Sequence, residues 1–209
     1  MMTLADWRLT WTQLGLACPD AVFAELRGRY EESHRAYHTL QHLRECFDHF
    51  QTARHLTERP AEIELALWFH DAIYDPRRSD NEERSRDLAV DILSRSGVVA
   101  DVINRVEDLI LATRHAAVPA DPDARLLVDV DLAILAAGPE RFAEYEWQIR
   151  HEYSWVPWED YRAERSRILT QFLNRASIFS TDWFQQRFEQ PARLNLERSL
   201  RNLFVNQRP

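Results

Sequence analysis

Lysine is missing altogether: all 26 basic residues of this 209-residue chain are arginine. The formal net charge is still −8, which argues against the basic surface that non-specific binding to a nucleic-acid backbone requires. Most of the arginines read as a compositional habit, though arginine also grips phosphate through two parallel hydrogen bonds. Glycine is scarce as well, at four residues. A sheet-rich fold with many tight turns draws on more than that, so helices are expected. The two cysteines, Cys18 and Cys46, show no metal-binding spacing and read as free thiols of a reducing compartment. No apolar run approaches the length of a membrane span. The start Met1-Met2-Thr3-Leu4-Ala5-Asp6-Trp7 lacks the basic-then-apolar order of a signal peptide. These absences predict a cytoplasmic protein with neither a membrane nor a nucleic-acid polymer as partner.

Apolar residues recur at helical spacing along most of the chain. Helices are expected over about 4–16, 19–33, 38–55, 60–71, 80–97, 99–115, 123–137, 139–154, 158–176 and 181–204, the last kinked at Pro191. Ser79 or Asp80 is the expected cap of the fifth. No strand, repeat or low-complexity segment is evident, and no linker precedes the later helices. The expectation is a single all-α domain over residues 1–209.

Chemistry concentrates in four places. Ala66 to Asp75 reads ALWFHDAIYD, an apolar helical run ending in His70-Asp71. A buried imidazole beside a buried carboxylate is costly unless both are satisfied, and a divalent metal satisfies both. His38 and His42, four residues apart, are expected on one helical face, able to share a metal or divide labour. His115 closes a helix. Asp129 and Asp131 interrupt the most apolar helix, and an acid there needs a partner; their spacing lets only one of them face a common site. His34, His49, His55 and His151 acquire no role.

This arrangement resembles the HD-domain superfamily of metal-dependent phosphohydrolases, whose pattern is a lone His, a His-Asp pair ending a later helix, and a distant Asp in an apolar helix. His42, His70, Asp71 and Asp131 match in order, Asp131 through the segment Val130-Asp131-Leu132. The likeness covers about residues 35–135 and leaves a C-terminal extension of about 139–204 outside it. Tyr37 to His42 is similar to the cyclic-nucleotide phosphodiesterase segment, which implies that His38 protonates the leaving group while His42 binds metal. His70 to Asp75 is similar to the alarmone hydrolases, which implies a water-orienting role for Asp75; Tyr74 stands where that family has its other acid. Trp68 to Ser85 looks closest to a bacterial group of predicted HD phosphohydrolases without an assigned substrate.

The expected function is hydrolysis of a small phosphorylated metabolite, a nucleotide first, by water activated on a divalent ion (Mn, Mg, Co, Ni, Fe or Zn). His42, His70, Asp71 and Asp131 are the expected ligands, with His115 joining Asp71 if there is a second ion. Arg77 and Arg78, on the loop after the pair, are candidates for phosphate contact, and Arg114 is a weaker one. The alternatives are a non-catalytic metal or nucleotide sensor, a di-iron oxygenase, and a helical interaction module whose His and Asp are structural.

Overall fold

The structure, a computed structural model, describes residues 3–205. Among them are ten α-helices and no strand, so the all-α expectation holds. They are α1 (Leu4–Gln13), α2 (Asp20–Tyr30), α3 (Leu40–Ala53), α4 (Pro60–Phe69), α5 (Asn81–Arg95), α6 (Ala100–Ala112), α7 (Pro122–Asp131), α8 (Pro139–Glu152), α9 (Trp158–Leu173) and α10 (Asp182–Val205). Short 3₁₀ segments follow α3 at Arg54–Leu56 and α7 at Leu132–Ala136. No helix among the described residues is long and apolar enough to cross a membrane.

The chain forms two compact units that divide between Val130 and Asp131. The first is built around α4, against which α1, α3, α5 and α6 pack. Every residue of α4 from Ala61 to Phe69 is buried, which is why its sequence is apolar on all sides rather than on one stripe. Its two acids survive burial by pairing: Glu62 with Arg105 of α6, and Glu64 with Arg54, Thr10 and Gln13. Trp68 is enclosed by Trp7, Phe23 and Phe47, mostly edge to face.

In the second unit α10 packs on α8, α9 and the 3₁₀ segment and continues through Pro191 as helix. Asn195 of α10 donates to the carbonyls of Leu135 and Ala137, both at 2.9 Å. These are end carbonyls of the 3₁₀ segment, which otherwise lack helical partners.

Several helices end about three residues short of expectation, α1 at Gln13, α2 at Tyr30, α6 at Ala112 and α9 at Leu173, and three further details differ. Residues 132–136, read as the end of the seventh helix, tighten into 3₁₀ turns, a frequent finish to an α-helix. Asp80 occupies the N-cap position of α5 without capping it; its carboxylate takes Arg78 instead, at 2.7 and 2.6 Å. The third helix starts at Leu40 rather than at His38. Thr39 is extended and its hydroxyl accepts the Gln41 N–H at 3.3 Å, a side-chain cap that excludes His38 from the helix. Thr39→Ala is expected to cost about 1 kcal/mol, read as a lower urea midpoint with unchanged slope. A variant as stable as the parent would show that the cap contributes nothing.

Candidate metal centre

α4 delivers the His-Asp pair. His70 is its C-cap residue, and its backbone N–H donates to the Ala66 carbonyl at 2.8 Å. The His70 ring is buried, and its Nδ1 lies 2.8 Å from the Leu67 carbonyl. A carbonyl only accepts, so Nδ1 carries the proton and donates. The Nε2 edge therefore faces the interior. There it meets His42 Nε2 at 3.2 Å and Asp71 Oδ2 at 3.1 Å, while His42 Nε2 is 3.4 Å from the same oxygen.

Two ring nitrogens and a carboxylate oxygen at these separations point electron pairs at one another. A positive species, proton or metal, must sit among them. Burial alone pushes the Asp71 carboxyl up, but the charges of His70 and His38 and hydrogen bonds from His42 and His70 outweigh it. They hold Asp71 well below the usual carboxylate range.

The donors fit an ion. Atoms bound at 2.0–2.2 Å to a tetrahedral or octahedral metal lie roughly 2.9–3.6 Å from each other, and 3.1, 3.2 and 3.4 Å fall inside that range. Asp131, the last residue of α7, belongs to a second, overlapping group: His42, Cys46, His70 and Asp131 each offer one atom within 4.8 Å of the others, a set that shares the two imidazoles with the triad but does not include Asp71. This buried group could hold a metal ion. Asp129 is fully buried on the same helix and is not part of that set.

Around these donors the start of the loop after the pair is clipped at Ile73, Tyr74 and Asp75. Ser85 of α5 accepts from the Ile73 N–H at 3.0 Å and donates to its carbonyl at 3.2 Å. Asn81 holds Asp75 the same way, with both bonds at 3.0 Å. His34, given no role by the sequence, donates from Nε2 to the Tyr74 carbonyl at 2.7 Å.

Arg35 does most. Its side chain is wholly buried. It donates to the carbonyls of Asp71 at 2.7 Å, Ala72 at 3.1 Å and His38 at 3.1 Å, and pairs with Glu32 at 3.0 Å. Its guanidinium also lies over the Tyr30 and Tyr74 rings. One side chain thus ties the His38 segment to the His70-Asp71 turn.

The remaining expected site residues are placed as follows. His38 stands outside the helix but beside the donors: its ring centroid is 6.0 Å from that of His42, and it stacks on Tyr74 at 4.0 Å. Tyr74, buried, is the platform for His38. Asp75 Oδ1 accepts from the Arg77 N–H at 2.9 Å, closing a turn within the loop. Arg77 and Arg78 are both exposed; Arg78 is engaged by Asp80 and Arg114 by Glu83. His115 has φ 54°, a left-handed conformation in which His is enriched among non-glycine residues. It acts electrostatically on Glu82, whose carboxyl burial and Asp71 both push up.

The sequence reading missed Cys46 and Arg35. Cys46 had a signal, since it follows His42 by one helical turn. Arg35 had none, because its partners are backbone carbonyls remote in sequence. No protein-family model matches the chain, no curated protein matches it, and no solved structure matches it, so the chemistry of this centre stands on its own geometry.

Proposed function

We propose that the protein is a metal-dependent phosphohydrolase of the HD-domain type, acting on a small phosphorylated metabolite, with nucleotides as the first class to test. The observation that carries the reading is the convergence of His42 Nε2, His70 Nε2 and Asp71 Oδ2 within 3.4 Å of one another. Asp131 stands close by in the same donor group as the two imidazoles. The order and types of these residues are those of the superfamily that the sequence resembles.

His42, His70, Asp71 and Asp131 would hold the ion. When bound, a divalent metal supplies Lewis acidity toward phosphate and makes water available as a nucleophile near neutral pH. His38, fixed against Tyr74, is assigned the proton for the departing oxygen. Asp75 would orient water through the oxygen that the Arg77 N–H leaves over. Arg77 and Arg78 are the loop cations assigned to phosphate, Arg78 exchanging its Asp80 partner for it. His115 is the residue assigned to a second ion with Asp71.

One observation favours the sensor reading: Tyr74 replaces an acid, and one Asp75 oxygen is committed to a turn. A screen of nucleotides and phosphomonoesters with Mn²⁺, Mg²⁺, Co²⁺ or Ni²⁺ separates the two. Hydrolysis supports the enzyme; saturable nucleotide binding without turnover supports the sensor.

Both readings require metal. Chelation is expected to lower stability by roughly 3–4 kcal/mol for an ion present at several hundred to a thousand times its dissociation constant, seen as a fall in Tm that added metal reverses. No metal in the reconstituted protein, by elemental analysis, would end both readings and leave the residues a structural role.

A further inference from the structure

We infer that Cys46 enters this centre as a thiolate ligand and turns its preference toward thiophilic divalent ions, zinc, cobalt and ferrous iron, ahead of magnesium and manganese. The inference rests on the metal reading above and specifies the kind of ion. It departs from the all-nitrogen-and-oxygen ligand set that the sequence implied.

Cys46 lies one turn after His42 on α3, so the two side chains leave the same face of the helix. The sulfur is buried, 3.6 Å from His42 Nδ1 and 3.7 Å from His42 Nε2. The near-equal distances place the sulfur beside the imidazole rather than on the Nε2 lone-pair axis, so ligation of an ion held by Nε2 requires the Cys46 side chain to turn toward it. The sulfur also keeps company with His70 and Asp131, each presenting a donor atom within 4.8 Å.

A cysteine used only as a small apolar filler belongs among hydrocarbon, as Leu43, Phe47 and Phe50 of the same helix do in the core. Cys46 instead turns its sulfur toward imidazole and carboxylate. Cys18, by contrast, is only partly buried and does not belong to this donor group.

The chemistry balances without a redox partner. The Cys46 S–H bond breaks, the sulfur keeps the electron pair and donates it to the ion, and the proton passes to solvent. Thiolate selects zinc, cobalt and iron over the oxygen-seeking magnesium and manganese.

The test uses the full chain, stripped of metal and titrated with Co²⁺ while absorbance is recorded. Bound cobalt is expected to show visible ligand-field bands together with an intense thiolate-to-cobalt charge-transfer band in the near ultraviolet. The charge-transfer band is expected to persist in Cys18→Ser and to vanish in Cys46→Ser, which retains the visible bands through the remaining ligands. Zn²⁺ should abolish the spectrum by displacement at near-stoichiometric amounts, and Mg²⁺ should not do so in large excess. Cobalt bound by the wild-type chain without the charge-transfer band overturns the thiolate and leaves the four-ligand centre intact. No bound cobalt overturns both. The wild-type spectrum decides even if Cys46→Ser fails to fold, and Cys46→Ala offers a second sulfur-free variant.

Discussion

Replacing His38 by Asn is expected to lower turnover by about 10²–10⁴-fold, the range for a lost proton-transfer group, while metal content stays as in the parent. His38 is separated from α3 by the Thr39 cap, so it does not share the helical face of His42. What fixes it is the 4.0 Å stack on Tyr74, itself buried and held at its carbonyl by His34. That leaves an imidazole close enough to depress the Asp71 carboxyl, outside the four-donor group of His42, Cys46, His70 and Asp131. Imidazole is the side chain that holds and releases a proton near neutral pH; asparagine keeps polarity and much of the size but cannot. Single-turnover kinetics and elemental analysis on the same sample separate the roles. If His38→Asn arrives empty of metal, His38 is a ligand and the proton must come from Asp75 or solvent. Full turnover by the variant would remove His38 from the chemistry.

Arg35→Met is expected to destabilise the fold by about 3–5 kcal/mol, a large part of the total for a domain of ordinary stability. Methionine fills much of the volume but donates nothing. The Asp71, Ala72 and His38 carbonyls would each lose a donor, and a buried acceptor left without one costs about 1–3 kcal/mol. Arg35→Lys keeps a cation beside Tyr30 and Tyr74 but cannot span three carbonyls with a rigid fork, so it should recover only part of the loss. Urea unfolding of the three proteins reads the stability. Cobalt affinity of the folded fraction reads the positioning, and it should weaken in both variants. A loss below about 1 kcal/mol for Arg35→Met, with cobalt affinity unchanged, would show that the turn holds its shape without the arginine.

The helices were legible because their signals are local. Pro60 and Pro139 open α4 and α8, and Gly97, at φ 77°, closes the turn after α5. The His-Asp pair stood out because apolar sequence led straight into it. What escaped depends on tertiary contact. Whether Thr39 or an earlier residue caps α3 depends on which backbone turns extended, and Asp80 was lost as a cap because Arg78 lay nearer. The division at Val130 leaves no linker to read, since it falls inside one apolar run. Cys46 was passed over because cysteine spacing was weighed against cysteine alone, when its relevant neighbour was a histidine.

Because α4 is apolar on all sides, no single stripe of its sequence marks which way it faces, and its rotation is set by the fit of individual side chains such as Trp68 and by a few directional bonds. The directional bonds of Glu62 to Arg105 and of Glu64 to Arg54, Thr10 and Gln13 act as two keys that help set the azimuth. A slip of one residue would swing each side chain through about 100° and shift it about 1.5 Å, enough to carry His70 Nε2 away from His42 and Asp71. Glu64 lies roughly 9 Å from His70 along the axis, yet it helps decide where that imidazole aims. Arg54→Ala, which touches no metal donor, should therefore register as weaker metal binding as well as lower stability. The angular tolerance of the centre is thus set in part at the far end of its own helix.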